Sequence, residues 1–341
     1  MKNKDIFTFR DAEKQAGPVA FSTMLKPAGS ACNLDCGYCY YLDKAAQYGG
    51  RQAVMADDLL ELYIRQYIEA NEVPVVTFCW HGGEPLLLGR DFYRRAVALQ
   101  RKYAAGKRIE NTLQTNGTLV DEAWCELFAE NGFLVGLSLD GPEDIHDAFR
   151  RTKGGRPTFA RVMRTVGMFR RTGVEYNTLS VVNRACEGRG AEIYRFFRDT
   201  VGSRYMQFLP AVEHVVDRAG LHRPLIVSPE TQGARPAEWS VTAEGYGKFL
   251  CDIFDEWVVS DVGQCFVQLF DATLAQWCGV QPGVCSMGET CGDALVVEHN
   301  GDVYSCDHFV YPEYLLGNIR ETPLAEIYRS RRRIDFGPVS Y

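Results

Sequence analysis

The strongest constraint on how this chain folds is an alternation, from Val19 to about Glu213, of short apolar runs with longer amphipathic ones. The runs FSTML (21–25), VVTFCW (75–80), NTLQTN (111–116), LVGLSLD (134–140), YNTLSVV (176–182) and YMQFLP (205–210) have strand length and strand composition. The stretches 57–69, 90–103, 122–131, 159–172 and 191–200 between them carry helical patterns. Strand and helix in alternation make βα units and a parallel sheet. Six units are too few for a closed eight-stranded barrel, so the expectation is an α/β fold built as an open, partial (β/α)6 TIM-like barrel. Its mouth, at the strand C-terminal ends, has room for a polypeptide.

After this region, the polar stretch 217–240, with Pro224, Pro229 and Pro236, reads as a loop, and 243–259 resumes a helical pattern. The organisation expected is a barrel over 15–225, a linker and helical bridge over 226–277, and a small unit over 278–341. A net charge of -7 argues against nucleic acid or an anionic membrane as partner, because both select clustered Lys and Arg. The single basic run, 329–333, reads as a solvated helix face. With no apolar stretch near the roughly 18 residues of a membrane span and no signal-like N-terminus, a cytoplasmic location is expected.

The 12 cysteines would then sit in a reducing compartment, where metal ligation or burial explains them better than disulfides. Cys32, Cys36 and Cys39 form a CxxxCxxC loop, SACNLDCGYCYY, directly after the first strand. Three thiolates can ligate three irons of a cubane cluster and leave the fourth open, whereas electron-transfer clusters normally take four. An open iron accepts an exogenous ligand, which in radical S-adenosylmethionine (SAM) enzymes is SAM itself. Zinc is the competing reading, but zinc knuckles usually bring a fourth Cys or His soon afterwards and none follows here. The second strand runs into His81, Gly82, Gly83, Glu84 and Pro85. Alone, GGEP is a turn; after a strand end and behind the Cys loop it resembles the motif that holds the SAM amino group.

A second cluster, CSMGETCGDALVVEHNGDVYSCD, contains Cys285, Cys291 and Cys306. Its residues 293–305 read as a hairpin over an Asn-Gly turn that would bring Cys291 and Cys306 together. The stretch resembles the opening of a SPASM domain, an auxiliary iron-sulfur module. With CNLDCGYCYY, WHGGEP, LSLDGPEDIHDAFR and YMQFLPAV, the chain resembles the anaerobic sulfatase-maturating enzymes over nearly its whole length.

The resemblance implies a radical SAM oxidoreductase with a 4Fe-4S cluster on Cys32, Cys36 and Cys39, which oxidises a Cys or Ser of an unfolded sulfatase polypeptide to Cα-formylglycine. It implies SAM contacts at Tyr38, Gly83, Glu84, Ser138, Arg150 and Val212, a general base at Asp307, and weaker substrate contacts at Tyr41 and His81. It also implies a low-potential electron donor such as ferredoxin or flavodoxin. The residues alone offer bland alternatives: Ser138 as a solvent-facing strand residue, Arg150 as a surface charge, Val212 as a core filler, and Asp307 as a turn residue. For Asp307 to work as a base, burial should raise its pKa toward working pH.

The sequence departs from the family after LGNIRETPLAEIYRS. The CxxCxxxxxCxxxC run and final Cys of a complete SPASM module do not follow, so an auxiliary 4Fe-4S cluster on Cys285, Cys291 and Cys306 would lack a ligand. Cys278 either substitutes or ends a helix as a buried thiol, and Cys79, Cys125, Cys186, Cys251 and Cys265 read as core thiols. Two other readings are another peptide-modifying radical SAM enzyme, forming thioethers or crosslinks, and a non-catalytic cluster-binding remnant.

Overall fold

A computed structural model describes residues 19–41, 44, 47–48, 54–217, 224–227, 230–288 and 294–337. Six strands, β1 (Ser22–Lys26), β2 (Val75–Trp80), β3 (Arg108–Thr115), β4 (Phe133–Ser138), β5 (Tyr176–Val182) and β6 (Tyr205–Pro210), lie side by side in chain order, each parallel to the next. The expected α/β sheet is therefore present, with strands β2, β5 and β6 at the expected boundaries.

Helices α1 (Asp57–Ala70), α2 (Arg90–Tyr103), α3 (Glu122–Glu130), α4 (Glu143–Phe149) and α5 (Phe159–Thr172) connect the first five strands. In α1 the residues Leu60, Tyr63, Ile64, Tyr67 and Ile68 recur at three- and four-residue spacing and are all buried, so one face packs on the sheet. The ring centroids of Tyr63 and Tyr67 stack at 5.7 Å along that face. The side chain of Asp121 caps α3 by accepting the Trp124 N–H, and Gly173, with φ of 71°, ends α5 in a left-handed turn. The stretch expected as a helix at 191–200 divides into α6 (Gly190–Arg195) and a wider π turn, Phe196–Val201.

The expected loop over 217–240 is corrected by the structure. Strand β7 (His214–Val216) pairs antiparallel with both β8 (Leu225–Val227) and β9 (Arg235–Pro236), because Val215, Ile226 and their neighbours are apolar enough to form a small three-stranded sheet. Helices α7 (Ala243–Ser260) and α8 (Gln268–Trp277) follow, and between them β10 (Phe266–Val267) adds in parallel to the free edge of β6.

At the opposite edge, β11 (Ala294–Glu298) pairs in parallel with β1, placing Glu298 opposite Lys26. Antiparallel β12 (Asp302–Tyr304) and β13 (Leu315–Asn318) continue outward, completing a sheet of ten strands. The turn between β11 and β12 holds Gly301 at φ of 92°, a conformation that favours glycine, as the Asn-Gly signal anticipates. Leu295, Val297 and Val303, from the segment 278–341, pack in the same apolar cluster as Leu25 and Tyr63. Helix α9 (Leu324–Arg329) lies against α1, where Gln66 accepts the Leu324 N–H at 2.7 Å, and α10 (Arg331–Phe336) follows.

Candidate active site

All six main strands end at one mouth, and the Cys loop crosses it directly after β1. The loop is pinned from outside: Asp35 N–H donates to the Arg151 carbonyl at 2.8 Å and Gly37 N–H to the Phe149 carbonyl at 3.1 Å. Cys36 is buried, while Cys32 and Cys39 are half-buried. Burial pushes the Cys32 thiol up to about 11, with Glu84 and Cys39 adding, and burial pushes Cys36 up to about 12 against the pull of Arg150. Thiols so placed stay protonated until a metal displaces the proton.

The surroundings suit bound thiolates. The Leu34 N–H at 3.4 Å and the Asn116 amide at 3.8 Å both donate to the Cys32 sulfur. Among the described residues, no three His, Cys, Asp or Glu side chains converge on a single ion position. A cubane requires something different, since each thiolate takes a separate iron.

The GGEP turn packs directly on this loop. Gly83 N–H donates to the Gly29 carbonyl and Glu84 N–H to the Ala31 carbonyl, both at 2.8 Å. A Cβ on Gly83 would lie 2.1 Å from the Ala31 oxygen, so only glycine fits. Glu84 is fully buried, and its carboxylate accepts from the Thr115 hydroxyl, the Leu86 N–H and the Asn116 N–H at 2.8–3.0 Å. Three donors commit it to fixing the Asn116 turn, and burial lifts its pKa from 4.5 to about 7.

The bland alternatives at three positions are overturned. Ser138 is buried and accepts from the Gln114 side-chain amide at 2.9 Å. Arg150 is buried too, its Nε 3.0 Å from Asp140 Oδ1, and its guanidinium stands over the Tyr38 ring at 5.6 Å. The Tyr38 hydroxyl donates to the other Asp140 oxygen at 2.5 Å. Val212 is 60% exposed beyond the end of β6, so it fills no core.

Asp307 is brought to the same mouth, because β11 docks on β1 and the chain returns through β12. Its carboxylate pairs with Lys26 Nζ and accepts from the Tyr40 hydroxyl. The expected rise in pKa is corrected here: burial raises it, but Lys26, His81 and Tyr40 together hold it well below the usual carboxylate range. His81 has the opposite problem, with burial and Lys26 lowering it to about 4, so the ring is neutral. Its Nδ1 accepts the Gly82 N–H at 2.8 Å, which leaves the proton on Nε2. The Tyr41 hydroxyl, expected to face substrate, instead donates to the buried Glu298 carboxylate.

The remaining cysteines divide. Cys306 is half-buried beside Asp307, Cys285 is exposed, and Cys291 lies outside the described residues. Cys278, read either as a substitute ligand or as a buried thiol, is exposed at the end of α8, and Cys251, expected in the core, is exposed on α7. Cys125, Cys186 and Cys265 are buried as expected, Cys79 is half-buried, and no described cysteine is in a disulfide. Lys26, Tyr40, Asp140 and Glu298 were missed by reading the residues alone. The signal available was Lys26 and Asp140 as charges at the ends of apolar strands.

A model of the radical SAM superfamily matches residues 27–184, and one of the SPASM iron-sulfur cluster-binding domain matches 285–340. The chain is 48% identical over 319 residues to the serine-type anaerobic sulfatase-maturating enzyme of Bacteroides thetaiotaomicron, covering 93% of this chain and 77% of that protein. This chain belongs to the anaerobic sulfatase-maturating enzymes. It is 33% identical to the cysteine-type enzyme of Clostridium perfringens, over 92% of this chain and 82% of the other. A solved structure, native anSMEcpe with bound AdoMet, superposes with a TM-score of 0.80 at 32% identity, covering 93% of this chain and 83% of that one. The same protein with bound AdoMet and the Kp18Cys peptide gives 0.81 at 32% identity, covering 92% and 82%. Anaerobic sulfatase-maturating enzymes are radical SAM oxidoreductases that convert a Cys or Ser to formylglycine. Among the described residues no helix is long and apolar enough to cross a membrane.

Proposed function

We propose that this maturase oxidises a Cys or Ser side chain of an unfolded sulfatase polypeptide to Cα-formylglycine, with Asp307 taking the thiol or hydroxyl proton. The observation that carries the reading is the return of the chain through β11 and β12. It sets Asp307 at the barrel mouth, in electrostatic reach of His81, with β1 and β11 between the strand that leads to it and the one that leads into the GGEP turn. A lone turn aspartate would not be clamped by a buried lysine.

Cys32, Cys36 and Cys39 hold the 4Fe-4S cluster, and the donors on Cys32 favour its thiolate form. Gly83, packed on the Cys loop, lets the backbone approach the methionine end of SAM, while Tyr38, Ser138, Arg150 and Val212 line the rest of that ligand's path. Glu84 supports this pocket by holding the Asn116 turn. When bound, the cluster and SAM would supply one-electron chemistry able to remove a hydrogen atom from the substrate Cβ, and a bound iron-sulfur cluster would take up the electron left on the substrate once its proton has gone. His81, neutral with its proton on Nε2, donates a hydrogen bond to the substrate sulfur or oxygen. Asp307 accepts the proton, and its charged neighbour Lys26 keeps it ionised beforehand.

A cleft of 560 Å³ opens beside Tyr40, walled by Phe309, Tyr311 and strand β8, and gives an extended polypeptide a route toward Asp307. The reductant is a low-potential donor such as ferredoxin or flavodoxin, and the reaction takes place in the cytoplasm. Anaerobic incubation of reconstituted protein with SAM, a reductant and Cys- or Ser-containing sulfatase peptides, read by mass spectrometry, tests this. Aldehyde peptide is expected. Deoxyadenosine with every peptide unchanged would point instead to another peptide-modifying radical SAM reaction.

A further inference from the structure

Lys26 is the last residue of β1, and its side chain is fully buried. An ammonium group without water is costly unless it is paired, and the penalty is several kcal/mol per ion. The described groups that face it all come from elements other than β1. Asp307 Oδ1 forms the ion pair. The Tyr41 ring lies face-on with its centroid 3.3 Å from Nζ, and the Tyr40 ring stands 5.9 Å away. Glu298 is the register partner of Lys26 across β1 and β11, but its carboxylate is taken by the Tyr41 hydroxyl. His81 follows β2 and is held neutral partly by Lys26.

The consequence is geometric. Asp307 sits on a short helical turn, Asp307–Phe309, after the outer hairpin, far in sequence from the strand ends that build the mouth. Its carboxylate is held at both oxygens from the barrel side: Lys26 takes Oδ1 and the Tyr40 hydroxyl takes Oδ2. Tyr40 belongs to the Cys loop, so the two clamps tie the aspartate to β1 and to the loop together. With Oδ1 fixed, rotation of the carboxylate is blocked, and Oδ2 is the oxygen left near the mouth to exchange Tyr40 for a substrate proton.

We propose that Lys26 is a positioning residue for the reaction: by pairing with Asp307 Oδ1 and packing on Tyr41, it fixes the carboxylate that deprotonates the substrate. This rests on the reading of Asp307 as the base. Lys26 is fully buried, with its Nζ over the Tyr41 ring, and acts through Asp307.

The test compares Lys26→Met, Lys26→Arg, Asp307→Asn and the Lys26→Met/Asp307→Asn double variant in reconstituted enzyme. Lys26→Met is expected to lower kcat for aldehyde about 100-fold, within the range of lost general-base catalysis. KM and the peptide Kd from fluorescence anisotropy are expected to stay within about twofold, because substrate is still held. Deoxyadenosine formed per aldehyde should rise, Lys26→Arg should recover most of the rate, and Lys26→Met should add little to Asp307→Asn. In a crystal structure of cluster-free Lys26→Met, Asp307 should leave Tyr40. If Lys26→Met fails to fold, Lys26→Gln, which keeps a donor without the charge, carries the same comparison. Wild-type turnover in the folded lysine variant, or losses that multiply fully in the double variant, would overturn the proposal. Wild-type turnover in Asp307→Asn would instead sink the reading of Asp307 as the base.

Discussion

The Tyr38 hydroxyl donates to Asp140 Oδ2 at 2.5 Å while Arg150 Nε holds Oδ1 at 3.0 Å. Oδ1 also accepts the Val181 N–H at 3.0 Å, so one fully buried carboxylate joins the Cys loop, the end of α4 and β5. Removing it by Asp140→Ala leaves the buried Arg150 cation unpaired, which is expected to cost about 3–5 kcal/mol. Urea denaturation of the cluster-free protein measures this. A loss under about 1 kcal/mol would mean that the network is not what fixes the loop.

Glu84 makes stability depend on pH in a direction unusual for a carboxylate. Its pKa rises from 4.5 unfolded to about 7 folded through burial, so between these values the folded state binds the extra proton. Its contribution is therefore present in acid and lost as pH climbs from 4.5 to 7, by about 3 kcal/mol. Glu84→Gln cannot titrate, and its stability should fall more steeply on acidification than the wild type over that window. Superimposable pH profiles would contradict the assignment.

His146 pulls the other way. Burial lowers its pKa from 6.5 to about 4, with its Nε2 3.0 Å from the Thr158 hydroxyl. Here the unfolded state binds the proton first, so stability is complete above 6.5 and is lost as pH falls toward 4. His146→Gln should flatten the acid side of the stability curve. An unchanged acid limb would show that His146 stays neutral at no cost.

Gly83 tolerates no side chain, since its Cβ would meet the Ala31 oxygen at 2.1 Å. Gly83→Ala must push the GGEP turn off the Cys loop. A drop of at least tenfold in SAM affinity is expected by isothermal titration of reconstituted protein, equivalent to about 1.4 kcal/mol. Iron content should stay near that of the wild type, whereas replacing Cys32, Cys36 and Cys39 together should remove the SAM-binding cluster.

Tyr41 separates a structural role from a substrate contact. Its hydroxyl is committed to Glu298, so Tyr41→Phe leaves a buried carboxylate short of a donor and should cost about 1–3 kcal/mol of stability. Peptide KM should stay within about twofold. A large rise in KM with unchanged melting would show that Tyr41 turns toward substrate.

The strand and helix order was legible because a half-buried strand and an amphipathic helix impose different periods on apolar residues, as 75–80 and 159–172 show at the residue level. Cys32, Cys36, Cys39 and Gly83 were legible for a related reason: the ligand spacing and the GGEP run are each written in residues a few positions apart. The two strands inside 217–240 were hidden because segments of two or three residues carry no period. Exposure of Cys251 and Cys278 was hidden because a thiol inside an apolar helix has no mark saying which face it takes.

By itself, then, the sequence determined the βα order, the thiolate loop and the glycine-rich turn, since each is written in residues a few positions apart. The tertiary structure decided the electrostatics. Lys26 and Asp307 are separated by most of the chain, and only the parallel docking of β11 on β1 makes them a buried pair. That pairing lowers the pKa of Asp307 where burial alone would raise it. The Coulomb term acts between groups that are close in space, and closeness of that kind is written in no local pattern.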